Sequence, residues 1–170
     1  MTLDQLNALP AAEAGAALER CCGAARWVAA MVAARPFANR DALFAAAERA
    51  ADALSEADWR DAFAHHPRIG DAAALREKFA ATAAWAGSEQ SAAAVASDGT
   101  LEALAAGNRA YEERYGWIFI VCATGKSAEE MLALLEARLH NAPEAELRNA
   151  AREQRKITRL RLEKVLGERA

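Results

Sequence analysis

The fold class is clearest in residues 143–166, PEAELRNAAREQRKITRLRLEKVL. When residues are placed at about 100° intervals, as in an α-helix, apolar side chains gather on one face and arginines on the other. Such a helix packs its apolar face against other helices. The predicted apolar face comprises Leu147, Ala150, Ala151, Ile157, Leu162 and Val165, and the opposite face carries Arg148, Arg152, Arg155 and Arg159.

Shorter helical patterns fill most of the remaining chain. Thr2 with Gln5, and Ser127 with Glu130, have the spacing of helix capping boxes. Because helical segments dominate, the sequence predicts an all-α, multi-helix bundle. The predicted helices are 3–9, 11–34, 41–54, from 55 toward 65, 72–86, from a loop at 97–100 to about 114, from 127 to about 141, and 143–166.

One segment, residues 116–125 (GWIFIVCATG), does not follow the helical pattern. Its β-branched and aromatic residues between glycines favour a strand by propensity. A lone strand would have no partner in this chain. The segment is therefore predicted to be irregular, or to continue the preceding helix and unwind.

Composition limits the function classes. A chain of 170 residues, 54% hydrophobic and 26% charged, is predicted to form a single domain over residues 1–170. A net charge of −3 gives no reason to expect nucleic acid as a partner. No apolar run approaches the roughly 18 residues that span a bilayer, and the first residues do not resemble a secretory signal, so no membrane association is expected.

The three cysteines, Cys21, Cys22 and Cys122, form neither a disulfide framework nor a zinc-binding pattern. An adjacent pair with one distant thiol suits a reducing compartment. We therefore expect a cytoplasmic location and no metal site.

Residues 66–71, HPRIGD, concentrate chemically active groups. Pro67 keeps the preceding residue out of the α region, so His66 is expected at a helix end or on a loop, where it could reach a ligand. The alternative is that Asp71 caps the next helix and His66 is an ordinary turn residue.

Arg161 falls on the wrong face of the 143–166 helix. It lies four residues from both Ile157 and Val165, inside the predicted apolar face. An unpaired buried guanidinium costs several kcal/mol, so Arg161 needs an anionic partner or a water-filled cavity. Three explanations stay open: an internal salt bridge, a long side chain that reaches solvent, or contact with a ligand carboxylate.

Several motifs are informative when they are taken together. They are HHPRIG (65–70), SEQ (88–90), NRAY (108–111), YGWIFIVCA (115–123) and KITRLRL (156–162). In this order they resemble one family, the 2-oxo-4-hydroxy-4-carboxy-5-ureidoimidazoline (OHCU) decarboxylases. The resemblance covers nearly the whole chain, and the combination of its motifs is specific.

The resemblance implies a carboxy-lyase of urate degradation that converts OHCU to (S)-allantoin and CO2. It also implies an all-α homodimer with no metal and no organic cofactor. By motif, His66 is the catalytic acid/base, assisted by Glu89. Substrate contacts are implied for Pro67, Gln90, Arg161 and the backbone of Phe119, Ile120, Val121, Cys122 and Ala123. Ala86 stands where the family has a serine that binds substrate, so that hydrogen bond is lost or supplied differently.

Two further function classes are compatible with the residues. A thiol hydrolase would use Cys122 with His66, although a cysteine in an apolar run is more often buried and inert. A non-enzymatic helical scaffold or partner-binding module would show an exposed apolar groove and no convergent polar site.

Overall fold

The computed structural model describes residues 1–67, 72–77 and 97–167, and the regular structure in these ranges is helical, with no strand. The predicted all-α class is confirmed. No helix in the described ranges is long and apolar enough to cross a bilayer. The helices are α1 (Leu3–Ala8), α2 (Ala11–Glu19), α3 (Ala25–Ala33), α4 (Arg40–Asp52), α5 (Glu56–Ala64), α6 (Asp98–Tyr115), α7 (Ala128–Arg138) and α8 (Pro143–Val165), and residues 72–77 are also helical.

The chain divides into two compact units. The first contains the described residues of Met1–His66, Ile120–Cys122 and Leu147–Ala170, and the second those of Pro67–Phe119 and Ala123–Glu146. The single domain expected from chain length stays a prediction.

The first unit is built around α3, which packs against α2, α4 and α5. Trp27 on α3 is buried, and its indole Nε1 donates a hydrogen bond to the carbonyl of Ala47 on α4 at 3.1 Å. Met31, Leu43 and Phe63 are fully buried in the same unit. Because large apolar side chains from several helices are removed from water, this core holds α5 and its carboxyl end in place.

The predicted helix over 11–34 is wrong, because residues 20–24 separate α2 from α3. Gly23 occupies this break against the side chain of His65, and a Cβ added at Gly23 would lie 2.2 Å from His65 Cγ. Ala24, the N-cap of α3, supplies no side-chain hydrogen bond. The alanine-rich sequence therefore carries no local stop or start signal here, and packing sets the break.

Residues 97–100 also differ from expectation, since they begin a helix and do not form a loop. Ser97 is the N-cap of α6, and its Oγ accepts a hydrogen bond from the backbone N–H of Thr100 at 3.1 Å. Serine is a favoured N-cap because its hydroxyl satisfies a free N–H of the first turn.

The buried face of α8 is shifted from the predicted one. Leu147, Ile157 and Val165 are only half-buried. The buried row recurs every four residues and comprises Glu146, Ala150, Gln154, Thr158 and Leu162. Three of these five side chains are polar. A prediction from hydropathy alone therefore chose the wrong face of α8 as the buried one.

Arg155, predicted to be solvated, is half-buried and bound to α4. Its guanidinium pairs with Glu48 at 2.9 Å and Asp52 at 2.8 Å, and it lies 5.7 Å from the centre of the Trp59 ring. Burial by itself lowers the pKa of Arg155, but the two carboxylates raise it above its usual value. These contacts fix α8 against α4 and α5 within the first unit.

In the second unit, α6 packs closely on α7. Gly107 makes this possible, because a Cβ there would lie 2.6 Å from Cδ2 of Leu135. Gly116, with φ of 77°, ends α6, and residues 116–125 then have no regular structure, as predicted. Phe119 packs edge-on against Tyr111, with ring centres 5.1 Å apart.

A buried carboxylate organises this second unit. Glu146 is fully buried and accepts hydrogen bonds from the Tyr111 hydroxyl, from Arg138 Nε at 2.7 Å and from Asn141 Nδ2 at 2.8 Å. Burial by itself raises the pKa of Glu146, but these donors and the charge of Arg138 together hold it below its usual value. A buried charge with several donors is stable, whereas the same charge without them would not be.

Replacing this carboxylate tests its contribution to folding. Glu146→Gln removes the charge that pairs with Arg138, and we expect it to lower the free energy of unfolding by about 3–5 kcal/mol at pH 7 in urea titrations. Because folding lowers the pKa of Glu146, its contribution is complete above the ordinary glutamate pKa of about 4.3 and is lost as the pH falls through the folded-state value. The difference between wild type and variant should therefore shrink below about pH 4.

Glu144→Gln is the matched control, since Glu144 is exposed in the first turn of the same helix. It should cost less than about 1 kcal/mol. Equal losses for the two variants would contradict a specific role for the buried carboxylate.

Candidate functional site

His66 lies immediately after α5, as the following proline predicts. Helix α5 begins at a capping box formed by Ser55 and Asp58, and His65 is its C-cap. The backbone N–H of His66 donates to the carbonyl of Phe63 at 3.2 Å, and Phe63 is fully buried. The histidine backbone is therefore held by the first unit's core, and its side chain is half-buried.

Two side chains of α8 contact the imidazole of His66. Nε2 lies 2.6 Å from Gln154 Oε1, and Nδ1 lies 3.5 Å from Arg161 Nη2. An amide oxygen only accepts and a guanidinium only donates. The neutral imidazole with its proton on Nε2 and its lone pair on Nδ1 matches both neighbours.

Arg161 reaches the site with neutral partners. Its Nη1 donates to the carbonyls of Arg20 at 3.3 Å and Cys21 at 3.5 Å, where α2 ends. These distances are long for a guanidinium, whose bonds to carboxylates are typically about 2.7–2.9 Å. In the ranges that the structure describes, its hydrogen-bond partners are these carbonyls and His66, so the salt bridge considered above is not observed there.

The segment Ile120–Cys122 is also anchored to α8. The backbone N–H of Cys122 donates to Glu153 Oε2 at 2.8 Å, and the other carboxylate oxygen of Glu153 pairs with Lys156. Ile120 and Cys122 are buried and Val121 is half-buried. The N–H of Cys122, predicted to bind substrate, is thus already bonded to Glu153. A substrate could bind through this N–H only by replacing Glu153 as its acceptor.

The structure brings together only some of the predicted site residues. His66 and Arg161, which are 95 positions apart in the chain, contact each other in the first unit, to which Ile120–Cys122 also belongs. Phe119, Ala123 and the exposed Pro67 belong to the second unit. Glu89, Gln90 and Ala86 lie outside the described residues, so the roles implied for them stay predictions.

Sequence reasoning missed the two residues that hold these groups, Glu153 and Gln154. Both were hidden because hydropathy placed Ile157 and Leu147 on the buried face. The sequence did contain a signal for the buried face, because Gln154, Thr158 and Leu162 are spaced four residues apart. They form an equally regular row when polar side chains are also counted as possible core residues.

Two thiols lie close to the site but are poorly suited to nucleophilic chemistry. Burial raises the pKa of Cys21 to about 11, although the charge of Arg161 acts in the opposite direction. Burial likewise raises the pKa of Cys22. Both thiols therefore stay protonated near neutrality, and a protonated thiol is a weak nucleophile. No group of three or more side chains suited to a metal ion occurs in the described ranges.

A separate small cleft opens elsewhere in the first unit. Its lining combines the rings of Trp27, Phe44 and Trp59 with the charged side chains of Glu48, Arg155 and Arg159. Neither His66 nor Arg161 lines it. The cleft is distinct from the His66–Arg161 pair.

Several known proteins are similar in sequence to this chain. The family model described as OHCU decarboxylase matches residues 7–163. A uric acid degradation bifunctional protein of Arabidopsis thaliana is 37% identical over 153 residues, which are 88% of this chain and 46% of that protein. An OHCU decarboxylase of Amia calva is 33% identical over 171 residues, 98% of this chain and 95% of that protein. The chain thus spans about half of the first relative and nearly all of the second.

Solved structures agree on the fold. A crystal structure of OHCU decarboxylase in the presence of (S)-allantoin superposes with a TM-score of 0.70 at 32% identity, over 88% of this chain and 96% of that one. A crystal structure of (S)-allantoin synthase gives a TM-score of 0.71 over 98% of this chain and 54% of that one, but at 21% identity it supports the fold alone.

Proposed function

Because this chain belongs to the OHCU decarboxylase family, we propose that it decarboxylates OHCU to (S)-allantoin, with His66 moving the protons. The family predicted from the sequence motifs is confirmed by the family model, which spans residues 7–163. The relative from Amia calva supports the activity, since 95% of that decarboxylase is matched at 33% identity.

The observation that carries the proposed mechanism is the contact between His66 and Arg161. The guanidinium makes three bonds of 3.3–3.5 Å, all to neutral acceptors, and one of them is His66 Nδ1. A substrate carboxylate would offer Arg161 shorter, charge-assisted bonds. When Arg161 turns to that anion, the Nδ1 lone pair becomes available to the substrate.

OHCU carries its own electron sink, so the reaction needs no cofactor to accept electrons. The carbon that bears the carboxylate also bears a hydroxyl and adjoins a C=N bond. As the bond to CO2 breaks, its electron pair forms a C=C bond, and the C=N electrons move to nitrogen, which takes up a proton. The resulting enol then loses its hydroxyl proton and gains one at the neighbouring carbon, so that one proton is consumed overall.

His66 is positioned for the enol step. A neutral imidazole can accept a hydroxyl proton and return a proton to carbon. Delivering that proton from one side of the ring determines which enantiomer forms. Glu89 polarises the hydroxyl in this proposal, while Pro67, Gln90 and the backbone of residues 119–123 contact the ring and its ureido group. These roles rest on the family resemblance.

A helical scaffold is not favoured as an alternative. It predicted an exposed apolar groove, yet the large apolar side chains exposed within the described ranges are Met1 at 42% and Leu134 at 36%. These two isolated side chains do not make a groove. The convergence of His66, Gln154 and Arg161 is the polar arrangement that a scaffold would lack.

The decisive experiment is turnover of freshly generated OHCU, followed by circular dichroism of the allantoin formed. Wild-type protein should accelerate the reaction and give a single enantiomer. His66→Ala should lower kcat by about 100- to 10,000-fold, because a general acid/base is lost. His140→Ala, at an exposed histidine beyond α7, is the control and should keep wild-type kcat. Racemic product without acceleration from wild type would refute the function, and a fully active His66→Ala would refute only the role of His66.

Arg161 should act mainly on substrate binding. The carboxylate charge disappears as CO2 leaves, so a guanidinium that binds it stabilises the ground state at least as much as the transition state. Loss of a hydrogen bond to a charged group, about 1.5–3 kcal/mol, predicts that Arg161→Ala raises KM by roughly 10- to 150-fold with a smaller change in kcat.

Arg159→Ala provides the matched comparison on the same helix. The Arg159 guanidinium is mostly exposed, lies 4.1 Å from the centre of the Phe44 ring and pairs with Glu163 at 3.2 Å. Its kinetic constants should equal those of wild type. Steady-state kinetics that change equally for both variants would contradict a specific substrate contact by Arg161.

A homodimer in the cytoplasm completes the proposal. The dimer is supported by the family resemblance, and the location by three free, buried cysteines, which suit a reducing compartment. Sedimentation equilibrium should give twice the chain mass of 18.2 kDa. A mass of one chain across the concentration range would contradict the dimer and leave the chemistry unaffected.

A further inference from the structure

Gln154 is buried in the middle of α8, where an amide must have all its groups bonded. It has no exposed surface. Its Oε1 lies 2.6 Å from His66 Nε2, and its Nε2 donates to Thr158 Oγ1 at 3.2 Å. An unsatisfied buried amide group would cost about 1–3 kcal/mol, and in this orientation both the oxygen and the nitrogen have a partner.

The Thr158 side chain fixes the orientation of the Gln154 amide. Thr158 is nearly fully buried, and its Oγ1 accepts a hydrogen bond from Gln154 Nε2. The amide oxygen of Gln154 then faces the imidazole, and an oxygen that only accepts requires a proton on His66 Nε2.

We propose that Gln154 is a positioning residue that holds His66 in the Nε2–H tautomer, so that Nδ1 is the atom that exchanges protons with the substrate. The other neutral tautomer would place an N–H of His66 against the N–H groups of Arg161 and a lone pair against the oxygen of Gln154. Both contacts would be repulsive. The catalytic consequence rests on the proposed function, whereas the tautomer itself does not.

The tautomer is measured directly by NMR of protein labelled with ¹⁵N in its imidazole rings. The chain has three histidines, so loss of one set of signals in His66→Ala assigns His66, and His65 and His140 serve as internal references. At a pH where the imidazole is neutral, wild-type His66 should show a protonated Nε2 and an unprotonated Nδ1. A protonated Nδ1 in wild type would overturn the proposal, whether or not the protein turns over OHCU.

Two variants separate positioning from simple structural support. Gln154→Glu keeps an oxygen acceptor for His66 Nε2, and Thr158 can rotate its hydroxyl to donate to the second carboxylate oxygen. This variant should keep the Nε2–H tautomer and a kcat within about tenfold of wild type. Gln154→Leu removes the acceptor, should give a mixture of tautomers, and should lower kcat by about 100-fold with little change in KM.

Urea unfolding of both variants identifies any loss of the native fold. If Gln154→Leu does not fold, the tautomer in wild type and the spectrum of Gln154→Glu still test the proposal. A folded Gln154→Leu with wild-type tautomer and kcat would overturn the proposal, as would a Gln154→Glu protein that has lost the Nε2–H tautomer. An absence of OHCU turnover by wild type would refute the proposed function and leave the NMR result standing.

Discussion

The hydrogen bond between His66 Nε2 and Gln154 Oε1, 2.6 Å long and joining residues 88 positions apart, is the contact on which the candidate site depends. It ties the turn after α5 to the middle of α8. The same helix provides Arg161 beside the other imidazole nitrogen and Glu153 on the backbone of Cys122. One helix therefore sets the positions of an imidazole, a cation and a loop.

Helix α8 can do this because its buried row is partly polar. Glu146, Gln154 and Thr158 are buried, and each forms side-chain hydrogen bonds. An apolar row would stabilise the fold more simply, since buried polar groups contribute little net stability. The polar row also orients other side chains. A hydrogen bond to the Gln154 amide fixes the orientation of the His66 ring, which a methyl group in its place would not do.

The electrostatic arrangement around His66 favours an anionic ligand. Arg161 provides a positive charge whose contacts in the described ranges are two backbone carbonyls and the His66 ring, so it keeps its attraction for a carboxylate. The neighbouring thiols of Cys21 and Cys22 remain protonated, because burial raises their pKa values. These sulfur atoms are therefore weak nucleophiles near neutral pH.

The sequence alone determined the helical class, the capped starts of α1 and α7, the start of α5 near residue 55, and the irregular segment at 116–125. It also pointed to the family and to His66 and Arg161, because caps, prolines, propensities and short motifs act within a few residues of the chain. Only the tertiary structure decided where α2 stops, which face of α8 is buried, and that Gln154 and Glu153 hold the site. Those outcomes depend on contacts such as Gly23 with His65 and His66 with Gln154, between residues tens of positions apart, and polar residues become core residues only when a distant partner satisfies them.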